Sequence, residues 1–435
     1  MAKLMPRRRF LQTCSAGAAA LHLATRHAAA QSESESDSSE NRRVVVGIMG
    51  LNRGLALTRL FAAQPNVEIR YLCDADQDRI AAGVAALKSR SPNQAKVEGV
   101  QDFRRILDDQ TVDVLVCAAP NHWHAPATIL ACQSGKHVYV EKPCSHNPWE
   151  GEAMVRAART HGRVVQLGTQ RRSSPGTQLA IQRLHDGAIG KVYLAEAVYR
   201  SARGSIGIGQ SADVPERLDY DIWQGPAPRK PYIDNLVHYN WHWRWHWGNG
   251  ELGNNGIHTL DLCRWGLGVV APQRVVSSGG RYAFQDDQET PDTQTVSYEF
   301  VSGQAITWQG LSCNRHRDEF VTFYGTSGTL VLDANGNFKI HDSLDHVQEE
   351  HSGNNSGESQ HVANFLAAVR AGHPNQLNAE IETGHLSTLL CHLGNISQRT
   401  GRALNCDSTT GHILNDMDAQ QYWKREYAAG WEPQV

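Results

Sequence analysis

Val44-Val45-Val46-Gly47-Ile48-Met49-Gly50-Leu51-Asn52-Arg53-Gly54 decides the fold. Its first half is a continuous apolar run, as a parallel strand buried on both faces requires. Its second half is a glycine-marked turn, and helical periodicity begins at about Leu55. In a strand–turn–helix of this kind, glycine lets backbone N–H groups approach a pyrophosphate at the helix N-terminus. The usual Gly-x-Gly-x-x-Gly spacing is altered here, because Asn52 replaces the middle glycine and Gly54 comes one residue early. Asn tolerates a left-handed φ better than most residues, so Asn52 is expected to keep the loop workable. Gly47, Gly50, Asn52, Arg53 and Gly54 are therefore candidate cofactor residues, with Arg53 along the pyrophosphate.

Outward from this loop, strand and helix alternate. Residues 67–73 read as a second strand closing on Asp74. A carboxylate there would accept hydrogen bonds from ribose hydroxyls and repel a 2′-phosphate, which favours NAD over NADP. A helix over 77–88 follows, then strands at 113–117, 137–140 and 164–168 with helices at 125–134 and 148–161 between them. The expectation is a doubly wound α/β domain with a parallel sheet over residues 43–168. From 169 to 360 the strands alternate in polarity (191–200, 274–283, 294–301, 305–312, 320–324), as a sheet with one wet face should. That predicts an α+β domain with a mainly antiparallel open sheet. Two helices, 361–371 and 379–400, are expected to pack back on the core within a final segment, 361–435.

Two strand ends carry chemistry. After the strand ending at Cys117 comes Ala119-Pro120-Asn121-His122-Trp123-His124, in which Pro120 rigidifies the turn and Asn121 can hydrogen-bond a ribose. The other is Tyr139-Val140-Glu141-Lys142-Pro143, a buried strand that stops abruptly. A lysine at a strand's carboxyl end faces the crevice where ligands bind. Burial and a cationic nicotinamide would both lower the pKa of Lys142 toward the working range. Glu141 is expected to hydrogen-bond into the same pocket. A third signature is Gly250-Glu251-Leu252-Gly253-Asn254-Asn255-Gly256-Ile257-His258-Thr259-Leu260-Asp261.

These segments together resemble the Gfo/Idh/MocA family of NAD(P)-dependent sugar and polyol oxidoreductases. The resemblance implies that Lys142 contacts substrate hydroxyl and cofactor, and that Pro120, Asn121 and His124 border the nicotinamide riboside. It aligns Gly250 to Asp261 with Gly-Gly-x-x-x-Asp-x-x-x-His-x-x-Asp, so His258 takes the histidine position, Asp261 the later acid, and Asn254 stands where an aspartate is usual. Residues four apart share a helical face, so Asn254 and His258 are expected to act on one substrate. Asn254 can orient an imidazole but supplies no charge, which leaves Lys142 and His258 both open as the base. The resemblance also implies oligomer contacts through the open sheet, hence a homodimer or homotetramer.

Upstream stands Asn240-Trp241-His242-Trp243-Arg244-Trp245-His246-Trp247. In an extended segment this period-two pattern puts indoles on one face and a cationic polar row on the other. Trp241, Trp243, Arg244 and Trp245 are thus candidate carbohydrate contacts, with core or interface packing as the plain alternative. His385 and His392, seven apart on a helix, lack a third ligand at suitable spacing, so no zinc site is expected.

Composition bounds the rest. A net charge of −3 over 435 residues leaves no footprint for nucleic acid. Residues 1–30 read as an export signal: Arg7-Arg8-Arg9-Phe10-Leu11, a short apolar stretch, then Ala28-Ala29-Ala30. The paired arginines resemble a twin-arginine signal, which implies the periplasm or another exported compartment. The apolar stretch is too short and alanine-rich for a membrane anchor. Residues 31–42 are Ser/Glu-rich and read as a disordered linker. Eight scattered cysteines remain after Cys14, with no Cys-x-x-Cys, and most are expected to be buried small apolar residues. The functions consistent with all this are an exported NAD-dependent sugar or polyol oxidoreductase, a redox-neutral NAD-dependent glycosidase or lyase, and a non-catalytic carbohydrate-binding protein. Glu141-Lys142-Pro143 favours the first.

Overall fold

The apolar run Val44–Met49 forms strand β1, buried along its whole length. It lies between β2 (Val67–Cys73) and β4 (Val114–Cys117), parallel to both. In this computed structural model, residues 42–91, 94, 96–316, 320–353 and 355–435 are described. The expected export signal, and all of the expected linker except residue 42, lie outside them. With β3 (Glu98–Val100), β5 (His137–Val140) and β6 (Val165–Leu167), the first sheet has the order β3-β2-β1-β4-β5-β6. Its faces are covered by α1 (Arg53–Ala62), α2 (Gln77–Arg90), α3 (Asn121–Gln133) and α4 (Pro148–Thr160). The strand order reverses between β1 and β4, so the crevice beyond their carboxyl ends is the place for a ligand.

The second sheet is mixed and mostly antiparallel. Its order is β15 (Val347–His351), β14 (Phe338–Asp342), β13 (Gly328–Leu332), β12 (Val321–Gly325), β7 (Val192–Ala202), β10 (Ala305–Leu311), β9 (Thr293–Glu299), β8 (Arg274–Gly280) and β16 (Leu404–Asn405), with β11 (Cys313–Asn314) beside β7. The long central strand β7 (Val192–Ala202) pairs parallel with β10 (Ala305–Leu311) and antiparallel with β12 (Val321–Gly325). Helix α5 (Ile257–Leu267) and helix α7 (Ile381–Thr400) cover one face, and buried Trp308, Tyr298 and Phe323 fill the core between. Helix α6 (Glu358–Ala371) crosses back to the first sheet, where Phe365 meets Tyr139 edge-on at 5.8 Å between ring centroids.

Three expectations are corrected. Strands β13 (Gly328–Leu332), β14 (Phe338–Asp342) and β15 (Val347–His351) extend the sheet beyond the strands expected from polarity. Edge strand β15 reads Val-Gln-Glu-Glu-His, which carries no apolar alternation to detect. Helix α3 begins at Asn121, not at 125, because Pro120 occupies the cap position and presets its φ at −58°. The tryptophan-rich run is not extended: Asn240–Trp243 is a 3₁₀ turn. Its indoles therefore point in different directions and not along one face.

A long arm between β7 and α5 returns to the first domain. It is tied there by an antiparallel bridge between Asp76 and Leu218 and by Asp219 N–H donating to Ala75 O at 2.9 Å. Asp76, itself the cap of α2, also receives Arg217 at 3.1 Å and His238 at 2.8 Å. All eight described cysteines are free, and seven of them are buried.

Candidate active site

The turn after β1 holds Gly50 at φ +88°. A Cβ there would sit 2.4 Å from the carbonyl oxygen of Ala118, so both backbone conformation and space demand glycine. The left-handed residue is thus Gly50, and Asn52 has an ordinary negative φ of −91° as the residue before α1. Gly47 lies inside β1, where a side chain would strike Ile106, so its smallness serves packing. No acidic residue stands in the first turn of α1. Its N-terminus therefore offers uncompensated N–H dipoles to an anion.

Beside this turn is a cleft enclosing about 1010 Å³ of empty space, open mouth included, lined by both Asp74 and Lys142. Asp74 is not a helix cap. Its two oxygens accept from Leu51 N–H at 2.7 Å and Asp76 N–H at 3.0 Å, which fixes the carboxylate against the turn and leaves a lone pair on each oxygen. The arm roofs the cleft with Ile222, Trp223, His238, Trp241 and His242. None of the first, second or third of these stood out in the sequence, because only the arm's backbone pairing brings them to the cleft.

Arg53 lines the cleft but is committed sideways. Its Nε donates to Glu141 at 3.0 Å and its Nη2 to Glu358 at 2.8 Å, so it clamps β5 to helix α6. Glu141, 5 % exposed, is that clamp's inner half and also accepts from the Lys142 N–H at 3.2 Å. Asn121 turns its amide to Asn249 Oδ1 at 3.0 Å. His124 places its Nδ1 2.6 Å from Pro143 O and its Nε2 2.7 Å from Ala119 O, so the ring sits between both strand-end loops and, when neutral, donates to one of them. Burial holds its pKa below the usual imidazole range.

Lys142 Nζ donates to Asn254 O at 2.8 Å and to Asn254 Oδ1 at 3.2 Å. Burial lowers its pKa; Glu141 works against that shift and Arg53 with it. Asn254 therefore serves the lysine, whereas it was expected to serve His258. Leu252–Gly256 is a π-helical turn that leads directly into α5, where His258 stands. His258 Nδ1 is buried with no hydrogen-bond partner among the described residues. Burial, then Arg171, Lys142 and Arg53, push its pKa well below the usual imidazole range, so the ring is neutral.

The expected carbohydrate contacts disperse. Trp241 lines the cleft. Trp243 is fully buried under the Arg203 guanidinium at 4.6 Å, and Trp245 packs beneath Arg399 at 4.9 Å. Arg244 pairs with Asp287 at 2.9 Å. Asp261 is also withdrawn from the cleft: it is 1 % exposed, paired with Arg172 at 2.8 Å, and accepts from Ser387 Oγ at 2.6 Å. Asp261 sits on the core-facing side of α5, which the three-residue spacing from His258 does not reveal. His392 Nε2 lies 3.0 Å from Ser145 Oγ, away from any metal-like cluster among the described residues.

Comparison with known proteins agrees with this fold. Residues 42–169 match the Gfo/Idh/MocA "oxidoreductase family, NAD-binding Rossmann fold" and residues 204–433 match its "C-terminal alpha/beta domain". A levoglucosan dehydrogenase of Pseudarthrobacter phenanthrenivorans is 26% identical over 264 residues, 56% of this chain and 60% of that protein. A glycosyl hydrolase family 109 protein of Saccharopolyspora erythraea is 34% identical over 161 residues, 36% of this chain and 35% of that protein. Among solved structures, levoglucosan dehydrogenase in complex with NADH and levoglucosan superposes with TM-score 0.65 at 19% identity, covering 83% of this chain and 99% of that one.

Proposed function

The chain belongs to the Gfo/Idh/MocA oxidoreductase family, and on that premise we propose that it oxidises or reduces a hydroxyl-bearing carbon of a sugar, polyol or glycoside with NAD. The observation that carries this reading is Lys142. It stands at the carboxyl end of β5, its ammonium is oriented by Asn254, and it shares one cleft with the glycine turn and Asp74. The donor set fits a dinucleotide: a helix N-terminus without acidic residues for the pyrophosphate and a carboxylate for the ribose. NAD bound in this cleft would supply the hydride acceptor. Lys142, as the neutral amine, takes the hydroxyl proton. His258 is a neutral neighbour that can hold a second substrate hydroxyl.

The relatives support a carbohydrate substrate, levoglucosan dehydrogenase most directly. The partial match to a glycosyl hydrolase supports a second reading, in which the same cleft serves redox-neutral cleavage. Net formation of reduced nicotinamide separates the two. We further propose that the mature protein is exported, a reading supported by the Arg7-Arg8-Arg9-Phe10-Leu11 segment. An exported enzyme meets no supply of free NAD. The arm roofing the cleft supports a cofactor that is loaded before export and kept through many turnovers. The redox cycle then closes on the enzyme, through a second substrate or return of the hydride.

Asp74→Ala should weaken NAD binding and relax the preference over NADP. Fluorescence titration with each nucleotide measures both effects. Equal affinities before and after would reduce Asp74 to an anchor for the turn.

Asn254→Asp tests the identity of the base. A carboxylate beside the ammonium raises the pKa of Lys142. The amine that accepts the proton then appears only at higher pH, so the acid limb of the oxidation rate moves upward. His258→Gln should leave a limb in place. An unmoved limb in Asn254→Asp, or a limb abolished by His258→Gln, would assign the titration to His258.

A further inference from the structure

We propose that His242 is a substrate-binding residue whose Nε2 accepts a hydrogen bond from a sugar hydroxyl, in the cleft it shares with Lys142. This rests on the oxidoreductase reading above and adds to it the group that recognises the hydroxyl pattern. His242 lines the cleft. Its Nδ1 lies 2.6 Å from Tyr239 O. A carbonyl only accepts, so the ring proton sits on Nδ1 and Nε2 is left with a lone pair. Nε2 makes no hydrogen bond among the described residues. The ring also stacks on Trp241, with centroids 3.6 Å apart and planes within 21°, so its orientation is held.

The charged and titratable surroundings keep the ring neutral. Lys142 faces it from the end of β5, Arg203 from the end of β7 and His124 from α3, and each disfavours a second ring proton. Burial is the larger cause, and together these push the pKa down to about 3. Such a ring is a weak base but a constant acceptor. Lys142 keeps N–H bonds to donate whether it is the ammonium or the amine. A hydroxyl both gives and receives hydrogen bonds, so a donor and an acceptor lining one cleft suit a polyhydroxylated ligand and reject an apolar one. His258 differs in kind: its Nδ1 has no partner among the described residues to fix a tautomer.

The test uses the full-length protein with its cofactor and a panel of levoglucosan, D-glucose and myo-inositol. His242→Phe keeps an aromatic ring on Trp241 and removes the acceptor; His242→Gln restores an acceptor. For any panel sugar oxidised by the wild type, His242→Phe should raise KM about tenfold, the cost of one lost hydrogen bond. Bound NAD should be unchanged, and His242→Gln should recover most of the loss. In ¹⁵N-histidine spectra, the imidazole that disappears in His242→Gln should be an Nδ1–H tautomer that does not titrate between about pH 8 and 5. An unchanged KM in His242→Phe, a loss of NAD in that variant, or an Nε2–H tautomer overturns the inference and leaves the oxidoreductase reading standing. A wild type that oxidises no panel sugar overturns that reading and this inference with it.

Discussion

Lys142→Met should cut the rate of cofactor reduction at least about a hundredfold while NAD stays bound, the loss typical of a positioned acid–base group. Methionine is one atom shorter than lysine and keeps most of its unbranched apolar stem. It removes only the group that donates to Asn254 O and Oδ1. The contacts proposed for the pyrophosphate and the adenosine ribose are at the Gly50 turn and Asp74, so most of the affinity should hold. Rapid-mixing measurements of the reduced-nicotinamide absorbance report the step directly. Reduction at the wild-type rate in Lys142→Met would remove the lysine from the chemistry.

Asp261→Ala should destabilise the fold by about 3–5 kcal/mol, the cost of leaving one half of a buried ion pair unmatched. The guanidinium of Arg172 would lose its partner at 2.8 Å while its side chain is only 7 % exposed. Ser387 would lose its acceptor at 2.6 Å. Thermal unfolding should show a markedly lower midpoint, while the protein that remains folded keeps its KM. The opposite pattern, an unchanged midpoint with a raised KM, would return Asp261 to the substrate pocket.

The first domain was largely legible because its signals are local. A strand buried on both faces is a continuous apolar run, and Val44–Met49 shows one. Lysine at the end of β5 follows from strand and motif together. What failed depended on geometry that adjacent residues do not encode. Asn254 was paired with His258 by helical spacing, and in the structure it is held by Lys142, a contact between residues 112 apart. The tryptophan run was given a period of two, and the 3₁₀ turn at Asn240–Trp243 scattered it. Gly50 rather than Asn52 took the left-handed position because the close approach of Ala118 leaves room only for glycine. His238 and His242 reach the cleft through an arm pinned to Asp76, a contact between residues 162 apart for His238.

The most direct test is to add each panel sugar to the purified protein with no nucleotide supplied, and to follow the reduced-nicotinamide band. One sugar should raise the band to near one equivalent per chain, and unfolding the untreated protein should release near-stoichiometric NAD(H). Protein that releases no nucleotide, and that forms no reduced nicotinamide with any sugar even when NAD is added, would contradict the account.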